Sequence, residues 1–205
     1  MFENVWTIAT AIPLIFCSVI GLALITERCW YLLRQKTLPF TVHQQSLELI
    51  HHNQYKEAMT KIKSIKPFFV EAIDCMQSHA AETKDARDEA VGITMHAISH
   101  KLRRRMSGLI TIASLAPMLG LLGTIIGLMR SFRDIGAHDG PVEPAIVADG
   151  LWQALTTTAV GLVIAVICLL THALLSSRIR HALTESMEIL NRLSQSIERE
   201  KVRHD

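Results

Sequence analysis

LAPMLGLLGTIIGLMRSF, residues 115–132, carries no charge before Arg130 and places Gly120, Gly123, Thr124 and Gly127 at three- and four-residue intervals. On an α-helix those positions fall on one face, which is left almost without side chains. Inside a soluble helix each glycine would cost roughly 1 kcal/mol against alanine. In lipid the same glycines let helix backbones approach closely, and close approach drives association there, while Thr124 adds a hydroxyl without adding a charge. The stretch therefore predicts a membrane helix with a smooth packing face, kinked at Pro117.

The apolar residues of the chain gather in three blocks. Residues 5–26 are uncharged for 22 positions, 106–129 for 24, and 151–177 for 27 with a single His172. Each exceeds the roughly 18–20 residues that cross a hydrocarbon core about 30 Å thick. The prediction is an all-α integral membrane protein with three transmembrane helices at 5–26, 106–132 and 150–177. The 21 Lys and Arg are divided 13 in 27–105, 6 in 178–205, 2 in 130–149 and none in 1–26. By the positive-inside rule the long middle region and the tail are cytoplasmic, and the N-terminus (1–4) and the connection 133–149 face the periplasm. That connection carries Asp134, Asp139, Glu143 and Asp149. The first span has no basic residue ahead of it, unlike a cleaved signal peptide, and is expected to remain on the mature protein.

Past the first span, which carries Pro13, Glu27, Arg28, Trp30 and Tyr31 form a belt suited to the membrane interface. The middle region reads as a small bundle of short helices: TVHQQSLELIHHN, QYKEAMTKIKSI, and a third opening at Pro67, with His51 and His52 at a turn. No breaker intervenes between Glu82 and Pro117, so one helix is expected to run from the cytoplasm through the second span to about Phe132, with Arg103, Arg104 and Arg105 at the cytoplasmic interface. In the third span Gly150, Ala154, Thr158, Gly161, Ala165, Cys168 and His172 make a second small-residue stripe. Beyond it Ile179, Leu183, Met187, Leu190, Leu193 and Ile197 keep the helical period among charges, which predicts an amphipathic cytoplasmic extension.

The interiors of the spans hold no Asp, Glu, Lys or Arg, so this chain alone supplies no intramembrane carboxylate. It offers hydroxyls and an amide instead, at Thr124, Thr156, Thr157, Thr158 and Gln153. These residues either bond to carbonyls one turn back, as membrane threonines commonly do, or line a path for a carboxylate from another protein. His96 and His100 have the spacing of a zinc pair but lack the Glu that the metalloprotease pattern requires after the first His. Cys17, Cys29, Cys75 and Cys168 have no metal or disulfide spacing and are expected to be reduced. No metal, cofactor, enzymatic activity or nucleic-acid binding is expected; the formal charge of +2 follows from topology.

Two linked motifs carry a resemblance. LAPMLGLLGTIIGLMRSF is similar to the second-span pattern of the MotA/TolQ/ExbB family, Ala-Pro, then Gly-Leu-x-Gly-Thr, then Gly and Ser-Phe. ADGLWQALTTTAVGLVIAV is similar to its third-span pattern, Gly-x-x-x-Ala-Leu-x-x-Thr-Ala-x-Gly-Leu. Within the family the ExbB branch is the nearest. The resemblance implies a homo-oligomer, pentameric in the family, in a bacterial inner membrane. Its second and third spans would line a pore around a small single-span ExbD-like partner that brings the protonatable Asp. Thr124 and Thr158 match the pore threonines, while Gln153 stands where many members have Glu, which leaves the partner's Asp as the proton carrier. ExbB-like complexes pass motion to a TonB-like protein for outer-membrane transport of iron chelates, haem or cobalamin. A TolQ-like role in envelope maintenance uses the same machine, and a non-conducting scaffold packed through the glycine stripes is the reading of a different class.

Overall fold

The computed structural model describes residues 3–35, 37–52, 54–104, 106–137 and 144–204, and its regular elements there are all helical. They are α1 (Glu3–Arg34), α2 (Phe40–His51), α3 (Tyr55–Ile65), α4 (Val70–Ser78), α5 (Lys84–Arg103), α6 (Met106–Gly136) and α7 (Pro144–His204). Three helical stretches, Ala11–Arg34, Lys84–Arg133 and Gly150–Arg203, are long and apolar enough to cross a membrane. The chain divides into two compact units, Met1–Cys29 with Arg105–Leu174, and Trp30–Arg104 with Leu175–Asp205.

The first unit consists of α1, α6 and the leading half of α7. Its buried centre is Leu109 and Ile112 of α6 with Cys168 of α7, and Cys17, Ile20, Leu24 and Ile25 of α1 pack against it. Gly21 permits this approach, because a Cβ there would lie 3.2 Å from Cys168 Sγ and 3.5 Å from Ile112 Cγ2. Outward the unit presents Phe16, Met118, Leu121, Phe132, Val163 and Val166, all exposed. So continuous an apolar surface is a poor fit to water and a good one to lipid or to further membrane helices. α6 continues through Pro117, which has no N–H to give the Ala113 carbonyl. At the end of the first span Arg28 is buried, only 4% exposed, while Trp30 beyond it is 65% exposed.

The second unit folds α2 on α3, α3 on α4 and α4 on α5. Lys63 of α3 pairs with Asp74 of α4 at 2.6 Å. Thr83 caps α5 by accepting from Ala86 N, and basic residues fill its last turn, where the helix dipole favours them. The tail of α7 joins through Ile179, Ile189, Leu190, Leu193 and Ile197, all buried. Lys201 Nζ donates to the Glu82 carbonyl at 2.6 Å.

Three expectations are corrected. The helix expected from Glu82 to Phe132 is two helices, because Arg104 leaves the helical region at ψ 136°. His100, Lys101 and Arg103 then lie in the last turn of α5, where the helix dipole favours cations. The third bundle helix opens at Val70 and not at Pro67: left-handed Lys66, at φ 52°, ends α3, and the Pro67 carbonyl accepts from Val70 N in the turn that follows. α7 itself begins at Pro144, with proline at the helix start where its missing N–H costs nothing, and its candidate span opens at the expected Gly150. Met187 is exposed, and Ser186 and Ile189 take the buried positions beside it. Arg105, together with Asp139 and Glu143 of the expected outer connection, lies outside the described residues.

Candidate pore-lining site

The two small-residue stripes meet in antiparallel register along a seam between α6 and α7. A Cβ on Gly120 would lie 2.9 Å from Thr158 Cα, one on Gly123 2.5 Å from Thr157 Oγ1, one on Gly127 2.7 Å from Ala154 Cβ, and one on Gly161 2.5 Å from the Ala116 carbonyl oxygen. Real Cβ atoms do not come this close, so glycine at these positions is a steric requirement of the packing. At the end of the seam Gly150 lies against Ser131, whose hydroxyl donates to the Gly127 carbonyl at 3.1 Å. Ala154 is buried within the seam and Ala165 is half-buried.

The polar groups of the seam form one cluster. Thr158 Oγ1 donates to the Gly120 carbonyl at 2.9 Å, across the two helices. Thr124 Oγ1 lies 3.2 Å from the same carbonyl and is hydrogen-bonded to Thr158 Oγ1. Two hydroxyl protons therefore serve two hydroxyl oxygens and one carbonyl, and either threonine can act as donor between them. The close approach at Gly120 opens its carbonyl to the neighbouring helix.

The other threonines behave differently. Thr157 Oγ1 donates at 2.8 Å to the Ala154 carbonyl on its own helix and lies 3.5 Å from the Gly120 oxygen. Thr156 is exposed, turned away from this cluster, and bonds to the Trp152 carbonyl at 2.8 Å. For Thr156 and Thr157 the bond one turn back describes the geometry; for Thr158 it does not. Gln153 is half-buried and engaged with a partner. Arg103 and Arg104 are exposed, the first at the end of α5 and the second as its cap.

Sequence reasoning found the pair Thr124 and Thr158 but passed over three parts of the seam. The Gly120 carbonyl is an acceptor that no side-chain pattern reveals. Ala116, fully buried opposite Gly161, and Ser131, buried opposite Gly150, extend the α6 stripe at the same three- and four-residue spacing, and that spacing was the signal available for them.

Comparison with known proteins points the same way. Residues 60–189, which include α6 and the seam-forming part of α7, match the MotA/TolQ/ExbB proton channel family. Biopolymer transport protein exbB1 of Vibrio cholerae is 31% identical over 157 residues, covering 75% of this chain and 69% of the relative. Biopolymer transport protein ExbB of Salmonella typhimurium is 28% identical over 166 residues, covering 73% of this chain and 68% of the relative. A match over more than half of the chain, with a relative at 31% identity covered over more than two thirds of its length, places the chain in the MotA/TolQ/ExbB proton channel family.

Proposed function

We propose that this chain is the pore-forming subunit of a proton-motive-force-driven motor of the ExbB type in a bacterial inner membrane. Its N-terminus faces the periplasm, and residues 27–105 and 178–205 lie in the cytoplasm, where their basic residues are best placed. A ring of copies, five as in the family, encloses helices of a small single-span ExbD-like partner. A TonB-like protein takes up the motion and opens outer-membrane transporters for iron chelates, haem or cobalamin.

The observation that supports this reading most directly is the hydroxyl pair of Thr124 and Thr158 on the Gly120 carbonyl, in spans whose interiors hold no Asp, Glu, Lys or Arg. Hydroxyls donate to a carboxylate and accept from a carboxylic acid, so the cluster serves a partner's Asp in both protonation states. A proton entering from outside neutralises that Asp beside the threonines. The uncharged helix then shifts past the threonine pair, and the proton leaves to the cytoplasm. One charge crossing 100 mV is worth about 2.3 kcal/mol, enough to bias a two-state arrangement roughly fiftyfold. Gln153 does not titrate, so this subunit orients the proton carrier and does not replace it.

The test is the native mass of the tagged complex after gentle extraction, with every co-purifying chain identified. A ring holding a single-span protein with an intramembrane Asp supports the motor. A monomer, or a ring that co-purifies with no such chain, leaves the system without a proton carrier and returns the chain to a scaffold.

A further inference from the structure

The second unit contains a cavity of about 590 Å³ that the pore reading does not use. Leu32, Leu33 and Leu38 line it from the end of α1 and the segment after it, with Phe68 and Leu102 beside them. Gln35, Thr37, Ser177 and Arg178 give it a polar edge. Arg178 is exposed and has no ion-pair or hydrogen-bond partner among the described residues. The carboxylate in the lining, Glu185, is engaged by His181 at 3.3 Å. The cavity is thus amphiphilic, and its one arginine, Arg178, is engaged by no carboxylate among the described residues.

Its depth along the helices fits a lipid. Leu32 follows Glu27, the first charge after the first span, by about 8 Å of helix rise, and Ser177 is the last residue of the uncharged run in α7. The headgroup region occupies about 5–8 Å on each side of the hydrocarbon core. Close by, Trp30 is 65% exposed with Arg34 over its ring at 5.5 Å, and Leu33 is 74% exposed. Aromatic and cationic side chains of this kind belong to the membrane interface.

We propose that this cavity binds one anionic phospholipid per chain, its phosphate on Arg178 and its upper acyl segment against Leu32, Leu33 and Leu38. The site rests only on α1 and α7 crossing the bilayer, and stands or falls apart from the threonine cluster. Lipid held here fastens the segment after α1 to the tail of α7 at the membrane surface.

The test uses the purified full-length complex in nanodiscs of phosphatidylglycerol and phosphatidylcholine, with retained lipid counted by native mass spectrometry. Phosphatidylglycerol is expected at one per chain, and Arg178→Gln is expected to lower its retention about tenfold, the effect of losing one charge-assisted hydrogen bond. Arg180→Gln removes the same charge from an exposed residue outside the cavity and is expected to leave retention unchanged. Ala182→Phe fills the cavity without altering charge and is expected to expel the lipid, which decides the matter should Arg178→Gln fail to assemble. Equal retention of phosphatidylcholine, equal loss in Arg180→Gln, displacement by millimolar inorganic phosphate, or ready disulfide formation between Thr37→Cys copies would each overturn the proposal. The last result would mean that a second copy of the chain covers this face.

Discussion

Thr158 and Gly120 are joined by a hydrogen bond that neither helix could make alone, Thr158 Oγ1 donating to the Gly120 carbonyl at 2.9 Å across the α6–α7 seam. Replacing Thr158 by Val keeps the side-chain shape and removes the donor. Thr124 Oγ1, 3.2 Å from the same oxygen, remains as a partner for it. The cost to folding should therefore be about 1 kcal/mol or less, as for other interhelical hydrogen bonds in membranes. Proton-dependent uptake is expected to collapse while the yield and mass of the complex hold. Uptake at the wild-type level in Thr158→Val cells would take the hydroxyl out of the mechanism.

The glycine seam makes a second prediction with an internal control. A Cβ on Gly127 would sit 2.7 Å from Ala154 Cβ, whereas one on Gly92 of α5 meets nothing within 4 Å. Gly127→Ala is expected to destabilise the complex by about 1–3 kcal/mol through overpacking. Gly92→Ala is expected to stabilise it by up to about 1 kcal/mol, through helix propensity alone. Heat-induced loss of the helical signal in one detergent measures both, and shifts of the same sign would refute the steric account of the seam.

These contrasts show how far the residues could be read before any fold was known. Long charge-free runs identify the spans because no other arrangement satisfies their backbone in lipid, and the stripes identify the seam because helical period and side-chain size both appear in the letters. The break at Arg104 was invisible for a physical reason: Lys and Arg are good helix formers, so local propensity runs straight through LRRR. Ser186 was hidden by Met187, the more apolar neighbour, because packing and not hydrophobicity selects which of two adjacent residues turns inward. Arg87 was also missed. It continues the buried stripe Val91, Met95, Ile98 and Leu102 by one turn, so a cation in register with an apolar face was the available sign.

That arginine gives the third prediction. Arg87 is fully buried, with Nη2 donating to the Ser194 carbonyl at 3.0 Å and to Glu198 Oε2 at 3.1 Å, and Nε donating to Ser194 Oγ at 3.2 Å. The Ser194 hydroxyl in turn donates to Asp88. Removing Glu198 leaves a buried cation with its countercharge gone; removing Arg87 leaves a carboxylate that water already reaches, at 36% exposure. Glu198→Gln should therefore cost about 1–3 kcal/mol. Arg87→Met, which restores apolar volume and leaves behind a Glu198 that water can reach, should cost less. The thermal midpoints of the two variants, compared in one detergent, decide the order. A larger loss in Arg87→Met would show that the pair contributes net stability of its own.

The last prediction concerns the docking of α1. Gly21 faces Cys168 and Ile112 at distances where an added methyl group is tight but not forbidden, 3.2 Å to the sulfur and 3.5 Å to Ile112 Cγ2. Gly21→Ala gains helix propensity of roughly 1 kcal/mol and loses a similar amount to crowding, so its net effect should be small. Cys168→Ala alone removes a buried sulfur from the cluster and should cost about 1–2 kcal/mol through the space it leaves. Together the two changes are complementary: the new methyl enters the volume the sulfur vacated. The double variant is therefore expected to be more stable than the sum of the single changes, by about 0.5–3 kcal/mol as for residues in direct contact. Simple additivity of the three thermal midpoints would mean that α1 does not lie against Cys168, and the first unit would need a different arrangement of its helices.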